Sequence, residues 1–216
     1  MSSGQAPPGS AGRPDPLAVP LGEFLDALAA PAPAPGGGGA AALAVAIAAG
    51  LAAMAARLSV RQLTARTAGE LSGQAERIMR RAASLIAADG AAYQRVIEAH
   101  RGPASPHAPG RPDVPDGRGK GARVAAALSA ASEIPAELTG LGADVAALAA
   151  RLARSGNPSL RGDAIASALL AQSGASAAAT LVEINLAGRP GDPRPARCRD
   201  LAGQAAASAR QAQAPP

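Results

Sequence analysis

Residues 40–58 read AAALAVAIAAGLAAMAARL, with no charged residue from Ala40 to Ala56. Alanine and leucine are among the best helix formers, so the stretch reads as a helix. A membrane span needs about 20 strongly apolar residues, and alanine is nearly neutral in transfer. The stretch therefore reads as a small-residue helix buried at the centre of a bundle, not as a membrane span.

Neighbouring segments supply the helices that would surround it. In the third helix, Leu71, Ala75, Ile78, Ala82, Leu85, Asp89, Ala92 and Val96 advance by fours and threes, a heptad seam that faces other helices. One member of that seam is a carboxylate, and charged groups are rarely buried without a partner. Upstream, Pro20 suits a first helical position, and Leu21, Phe24, Leu25 and Leu28 share one face. PAPAPGGGG (31–39) ends that first helix. Downstream, a fourth helix is expected from about Arg123 to Glu133. Pro135 begins or kinks a fifth that carries Leu138, Leu141, Val145, Leu148 and Leu152. SGNPS (155–159) stops it, and a last helix runs from about Arg161 to Ala187 with Gly188 beyond its end.

The expected fold is all-α: an up-and-down bundle of five to six helices over residues 20–190, packed through small residues. Residues 1–19 are rich in Pro, Gly and Ser and are expected to be a disordered N-terminal tail. Residues 101–122 (RGPASPHAPGRPDVPDGRGKGA) are expected to be a flexible insertion or lid. Residues 191–216 are expected to be a loosely structured C-terminal tail, with room for one short helical stretch. With so few large side chains a single copy would be weakly stabilised, so a two-fold homodimer is expected.

Composition narrows the function classes. Alanine occupies 61 of 216 positions, and Phe24 and Tyr93 are the only aromatics. That argues against a β-sandwich or barrel. The net charge is +5, carried by 20 Arg and Lys120. The arginines are scattered and stacking aromatics are missing, so no nucleic-acid partner is expected. One Cys and two His cannot build a repeated metal spacing or an intrachain disulfide, so no metal is expected. No basic segment followed by an apolar one opens the chain, which points to the cytoplasm.

Four places carry candidate chemistry. Pro35-Gly36-Gly37-Gly38-Gly39 opens the small-residue helix; glycines allow close backbone approach, and a helix N-terminus offers unpaired N–H donors to an anion. A flexible linker is the alternative. Asp89, on the seam, suits acid–base work or the holding of a cation, unless the seam has reached solvent there. Asp163, in the segment Asn157 to Asp163, lies in the first turn of the last helix, where capping alone would explain it. Asn185, within Glu183-Ile184-Asn185-Leu186, is present for a hydrogen bond or as a C-terminal cap. His100 and His107 read as surface residues and Tyr93 as packing. Cys198 shows no activating neighbour beyond Arg197 and Arg199.

Taken in order, these segments resemble one family, the cyclodeaminase/cyclohydrolase domain. It forms the C-terminal half of formiminotransferase-cyclodeaminase and stands alone as bacterial methenyltetrahydrofolate cyclohydrolase. FLDALAAPAPAPGGGGAAALAVAIAAGLAAM (24–54) is similar to its helix, Pro-Gly-Gly-Gly turn and small-residue helix. LIAADGAAYQRV (85–96) places Asp89 at the family's Asp. SEIP (132–135), SGNPSLRGD (155–163) and VEINL (182–186) resemble three further family segments. The chain departs from the pattern at Gly39, where Ser is usual, at Ala104 for Lys, at Gly162 for Ser and at Leu181 for Asn. RLSVRQL (57–63) replaces a Lys-rich aromatic stretch.

The resemblance implies one-carbon folate chemistry: hydrolysis of 5,10-methenyltetrahydrofolate, or cyclisation of 5-formiminotetrahydrofolate with loss of ammonia. Asp89 and Asp163 would be catalytic. Pro35, Gly36, Gly37, Gly38, Asn157 and Asn185 would bind the folate. No cofactor is implied beyond the tetrahydrofolate substrate itself. The alternative is a non-catalytic helical dimer of the same fold that binds a ligand or partner.

Overall fold

The computed structural model describes residues 19–102 and 117–215. Within them the chain forms α1 (Leu21–Ala29), α2 (Gly37–Arg57), α3 (Ala65–Arg101), α4 (Gly117–Ala131), α5 (Glu133–Ser155), α6 (Arg161–Leu186) and α7 (Arg194–Gln213), with a 3-10 turn at Pro158–Leu160. There is no strand among the described residues. The all-α bundle expected from the sequence is the fold, and six of its helices fall inside 20–190.

Helix α2 is the centre, packed by α3, α5 and α6. It buries Ala41, Ala42, Ala48, Ala49, Ala52 and Ala56 completely or nearly so, with Val45 its largest fully buried side chain. Both α2 and the Pro158–Leu186 stretch have the length and apolarity to cross a bilayer; 61% and 44% of those apolar stretches lie inside the bundle. Helices α2 and α6 run antiparallel: a Cβ at Gly37 would lie 3.9 Å from the Leu181 methyls, while Ser167 Oγ donates to the Ala48 carbonyl over 2.7 Å. The seam on α3 is as read. Leu71, Ala75, Ile78, Ala82, Leu85, Ala92 and Val96 are buried, and Asp89 is half-buried.

Two glycines set how closely the helices cross. A Cβ at Gly142 of α5 would sit 2.9 Å from both the Ala171 carbonyl oxygen and Ala175 Cβ of α6. One at Gly174 of α6 would sit 2.7 Å from Val45 Cγ2 and 3.1 Å from the Ala41 carbonyl. Gly69 of α3 and Gly203 of α7 would meet nothing within 4 Å. Opposite signs are therefore expected from one substitution type. Gly69→Ala and Gly203→Ala should each stabilise by about 0.5–1 kcal/mol through helix propensity. Gly142→Ala should destabilise, because overpacking against backbone costs roughly 1–3 kcal/mol and outweighs that gain. Urea unfolding midpoints of the three variants check this. A stabilised Gly142→Ala would show that α5 and α6 can move apart freely.

Three expectations about the flanks meet different outcomes. Residues 1–18 and 103–116 lie outside the described residues, so the N-terminal tail and most of the 101–122 insertion are not addressed. Residues 117–122 are already helical, and α4 begins six residues before Arg123. Its Gly-Arg-Gly-Lys-Gly start has poor propensity, but α4 packs along α3. The C-terminal tail expected over 191–216 is instead α7, which packs on α5 and α6. Cys198, Ala205, Ala209 and Ala212 are buried along its inner face. Arg161 holds its end by donating to the carbonyls of Ala212, Gln213 and Ala214.

Candidate functional site

The first N–H groups of any helix lack intrahelical partners. Helix α2 begins with Gly36 as N-cap, which has no side chain to accept them. Asp89 of α3 supplies the missing acceptor: the Gly39 N–H donates to its carboxylate. A Cβ at Gly38 would lie 2.1–2.4 Å from the carboxylate atoms of Asp89, so any side chain there would push the carboxylate away. Gly38 is therefore the glycine that this approach demands. At Gly39 a Cβ would meet Pro35, Ile86 and Phe24 only at 3.5–3.9 Å, so a Cβ is accommodated there.

Around the carboxylate lies a cavity of about 220 Å³. Gly36, Gly37 and Gly38 form its floor, with Asp89 and Tyr93 from α3 and Asn185 from the end of α6. Aliphatic groups close the rest: Pro33 and Ala34, Ala131 of α4, Pro135 of α5 and Leu181 of α6. Burial pushes the Asp89 carboxyl above the ordinary aspartate value, and the Gly39 N–H pulls it back in part. A carboxyl so placed can hold or pass a proton, or sit beside a cation, next to free helix N–H donors.

The sequence candidates divide into two groups. Asp89, Gly36, Gly37, Gly38 and Asn185 come together, from segments distant in the chain. Pro35 adjoins this group, its ring packed over Gly39 rather than lining the cavity. Asp163 and Asn157 are elsewhere. Asp163 lies in the first turn of α6 and Asn185 in its last, 22 residues apart and so about 33 Å along the axis. Asn157 clamps two loops: its side chain accepts from the Ser159 N–H and donates to the Leu58 carbonyl, and its own N–H donates to Ser59 Oγ. Asn157 thus caps the 3-10 turn, and Asp163 stands in the first turn of α6, where the capping alternative put it, sharing no cavity with Asp89 in one chain.

Tyr93, read as packing, is 46% exposed and stands on the cavity wall. Its signal in the sequence was its place one turn beyond Asp89 on the same helix face. Cys198 is buried against Ala179, Val182 and Leu186, with burial pushing its thiol up. A larger cavity of about 650 Å³ lies between α3, α5 and α7, beside Arg81, Asp144 and Arg197, and holds none of the candidates. No three His, Cys, Asp or Glu side chains cluster as metal ligands among the described residues.

The formiminotransferase-cyclodeaminase family model matches residues 20–191. A search of curated proteins finds no match. Among solved structures, the crystal structure of formiminotetrahydrofolate cyclodeaminase from Thermotoga maritima superposes with a TM-score of 0.77 at 20% identity, covering 91% of this chain and 95% of that one. At that identity the superposition speaks for the shared fold. The family match spans the whole helical region that builds the Asp89 cavity, and the chain belongs to the formiminotransferase-cyclodeaminase family.

Proposed function

We propose that the chain is an enzyme of folate one-carbon metabolism, acting on the carbon carried between N5 and N10 of a tetrahydrofolate. The observation that carries this reading is the half-buried Asp89 carboxyl, held at the glycine-built start of α2 in a cavity. Two reactions of the family's chemistry share one tetrahedral carbon. In the cyclohydrolase direction, water adds to the cationic methenyl bridge, one proton leaves, and the carbon–nitrogen bond to N5 breaks to give the formyl product. In the cyclodeaminase direction, N10 attacks the formimino carbon of 5-formiminotetrahydrofolate, and ammonia departs after taking up the N10 proton and one more.

Both reactions need a proton carrier beside the carbon and a group that tolerates its positive charge. Asp89 suits both, as a half-buried carboxyl beside the helix start whose burial favours the protonated form. The unpaired N–H groups of Gly37 and Gly38 suit an anionic or carbonyl edge of the ligand, and Asn185 suits a hydrogen-bonding edge. Asp163, at the far end of α6, is proposed to have no part in this cavity. The chain is also proposed to work as a cytoplasmic homodimer. Leu21 and Leu25 of α1, Ile47 of α2 and Leu169 of α6 remain 38–57% exposed in the single chain, and a second copy would cover them.

A second reading has its own observation. Leu181 stands in the cavity wall where the family usually carries Asn, leaving Asp89, Asn185 and the Tyr93 hydroxyl as its polar side-chain groups. That favours a protein which binds a ligand without turning it over. Calorimetric titration with folinate, a stable 5-substituted tetrahydrofolate, followed by turnover assays on methenyl- and formiminotetrahydrofolate, separates the two. Micromolar binding, weakened by Asp89→Ala, with turnover of one substrate is the expected result. Binding without turnover would select the second reading. No binding at millimolar folinate by a folded protein would remove both.

A further inference from the structure

The chain holds two aromatic residues, and Tyr93 is the one that reaches the Asp89 cavity. Phe24 packs instead over the outer side of Gly39. Tyr93 is nearly half exposed. An aromatic ring normally gains by covering both faces, so a ring left against a cavity has a face to offer. It follows Asp89 by four residues on α3, which stacks the two side chains along one helix face. The other walls are aliphatic: Pro33, Ala34, Ala131, Pro135 and Leu181. They offer contact area but no side-chain hydrogen bond. The cavity is thus an apolar slot with an aromatic wall, polar at Asp89, Asn185 and the glycine N–H groups.

Its size narrows the occupant. About 220 Å³ falls below the roughly 300–1,000 Å³ of pockets that engulf a whole drug-sized ligand. A flat ring system fits, with the remainder of a longer molecule outside. We propose that Tyr93 is the stacking wall of the site, covering one face of the ligand's planar heteroaromatic ring while Asp89 and Asn185 meet its edge. On this proposal the site selects its ligand by the ring and not by the chain attached to it. The inference rests on the folate reading and adds which half of the folate enters the cavity.

The test compares folinate affinity, by calorimetry, for the full chain and for Tyr93→Phe and Tyr93→Leu. Phenylalanine keeps the ring, whereas leucine keeps bulk without a π face. Tyr93→Phe should bind within about twofold of the parent. Tyr93→Leu should lose about tenfold, the scale of one aromatic stacking contact. A 6-methyltetrahydropterin probe, the ring without its tail, should show the same dependence on residue 93. Para-aminobenzoylglutamate, the tail alone, should show none. Circular dichroism melts of all three proteins should coincide, since an exposed side chain contributes little to the fold. Equal folinate binding by parent and Tyr93→Leu would overturn the stacking role and leave the folate reading standing. Dependence on residue 93 seen with the tail fragment and not the ring would also overturn it. Absence of folinate binding by the parent would overturn both.

Discussion

Asp89→Asn is expected to lower turnover of the tetrahydrofolate substrate by at least about 100-fold, the scale of a lost acid–base group, while the fold becomes no less stable at neutral pH. Asparagine keeps an oxygen for the Gly39 N–H, so the start of α2 stays capped. What it removes is a carboxyl whose charged form burial disfavours. The direction of the pH dependence follows from that. The folded-state pKa lies above the ordinary 3.8 of the unfolded chain. Relative to the unfolded state, the contribution of this group is fully present below the unfolded value. It is lost as pH rises through the higher folded value. The parent should therefore lose stability over that window and the variant should not, so their urea midpoints should separate in favour of Asp89→Asn above it. Unchanged turnover would remove the proton-carrier role. A parent that gains stability relative to the variant across the same window would show that the carboxylate is held by more than Gly39.

Ending the chain after Gly191 is expected to be the most destabilising change short of unfolding the core. It removes α7, which carries the buried Cys198, Ala205, Ala209 and Ala212. It also exposes the surfaces of α5 and α6 beneath them. Four buried methyl-sized groups are worth about 3 kcal/mol at roughly 0.8 each, and the uncovered faces add a comparable amount. That is a large share of the about 5–15 kcal/mol by which a domain is stable. The shortened chain should unfold at a urea midpoint well below the parent's, or fail to fold at 25 °C. An unchanged midpoint would mean that α7 rests on the bundle without stabilising it. The cysteine provides an internal check, since Cys198 is 1% exposed and should react with a thiol reagent only on the timescale of unfolding.

Much of this architecture was legible because its signals depend on local rules. The α3 seam shows because Leu71, Ile78, Leu85 and Val96 contrast with charged residues between them. The start of α2 shows because a Pro-Gly run meets an uncharged alanine stretch. Alanine itself carries no such contrast, since it serves equally at a surface and in a core. The inner face of α7 repeats as Cys198, Ala205, Ala209 and Ala212, a helical spacing written almost wholly in alanine. It could not be told from Ala202, Ala206 and Ala207, which are not buried, so a packed helix read as a tail.

The sequence by itself determined the all-α class, α2 as the central helix, and Asp89 and the glycine run as places of interest, because helix propensity and periodicity are properties of short segments. Only the tertiary structure decided which of them meet. Antiparallel packing of α2 on α6 brings Gly37 to Leu181 and Asn185, and leaves Asp163 a helix length away. It also singled out Gly38 from four consecutive glycines, because a carboxylate 51 positions later closes on that one Cα. It turned Tyr93 from packing into a cavity wall as well. Contacts between segments far apart in the chain depend on how helices cross, and the crossings here are set by the backbone-to-backbone approaches at Gly142 and Gly174.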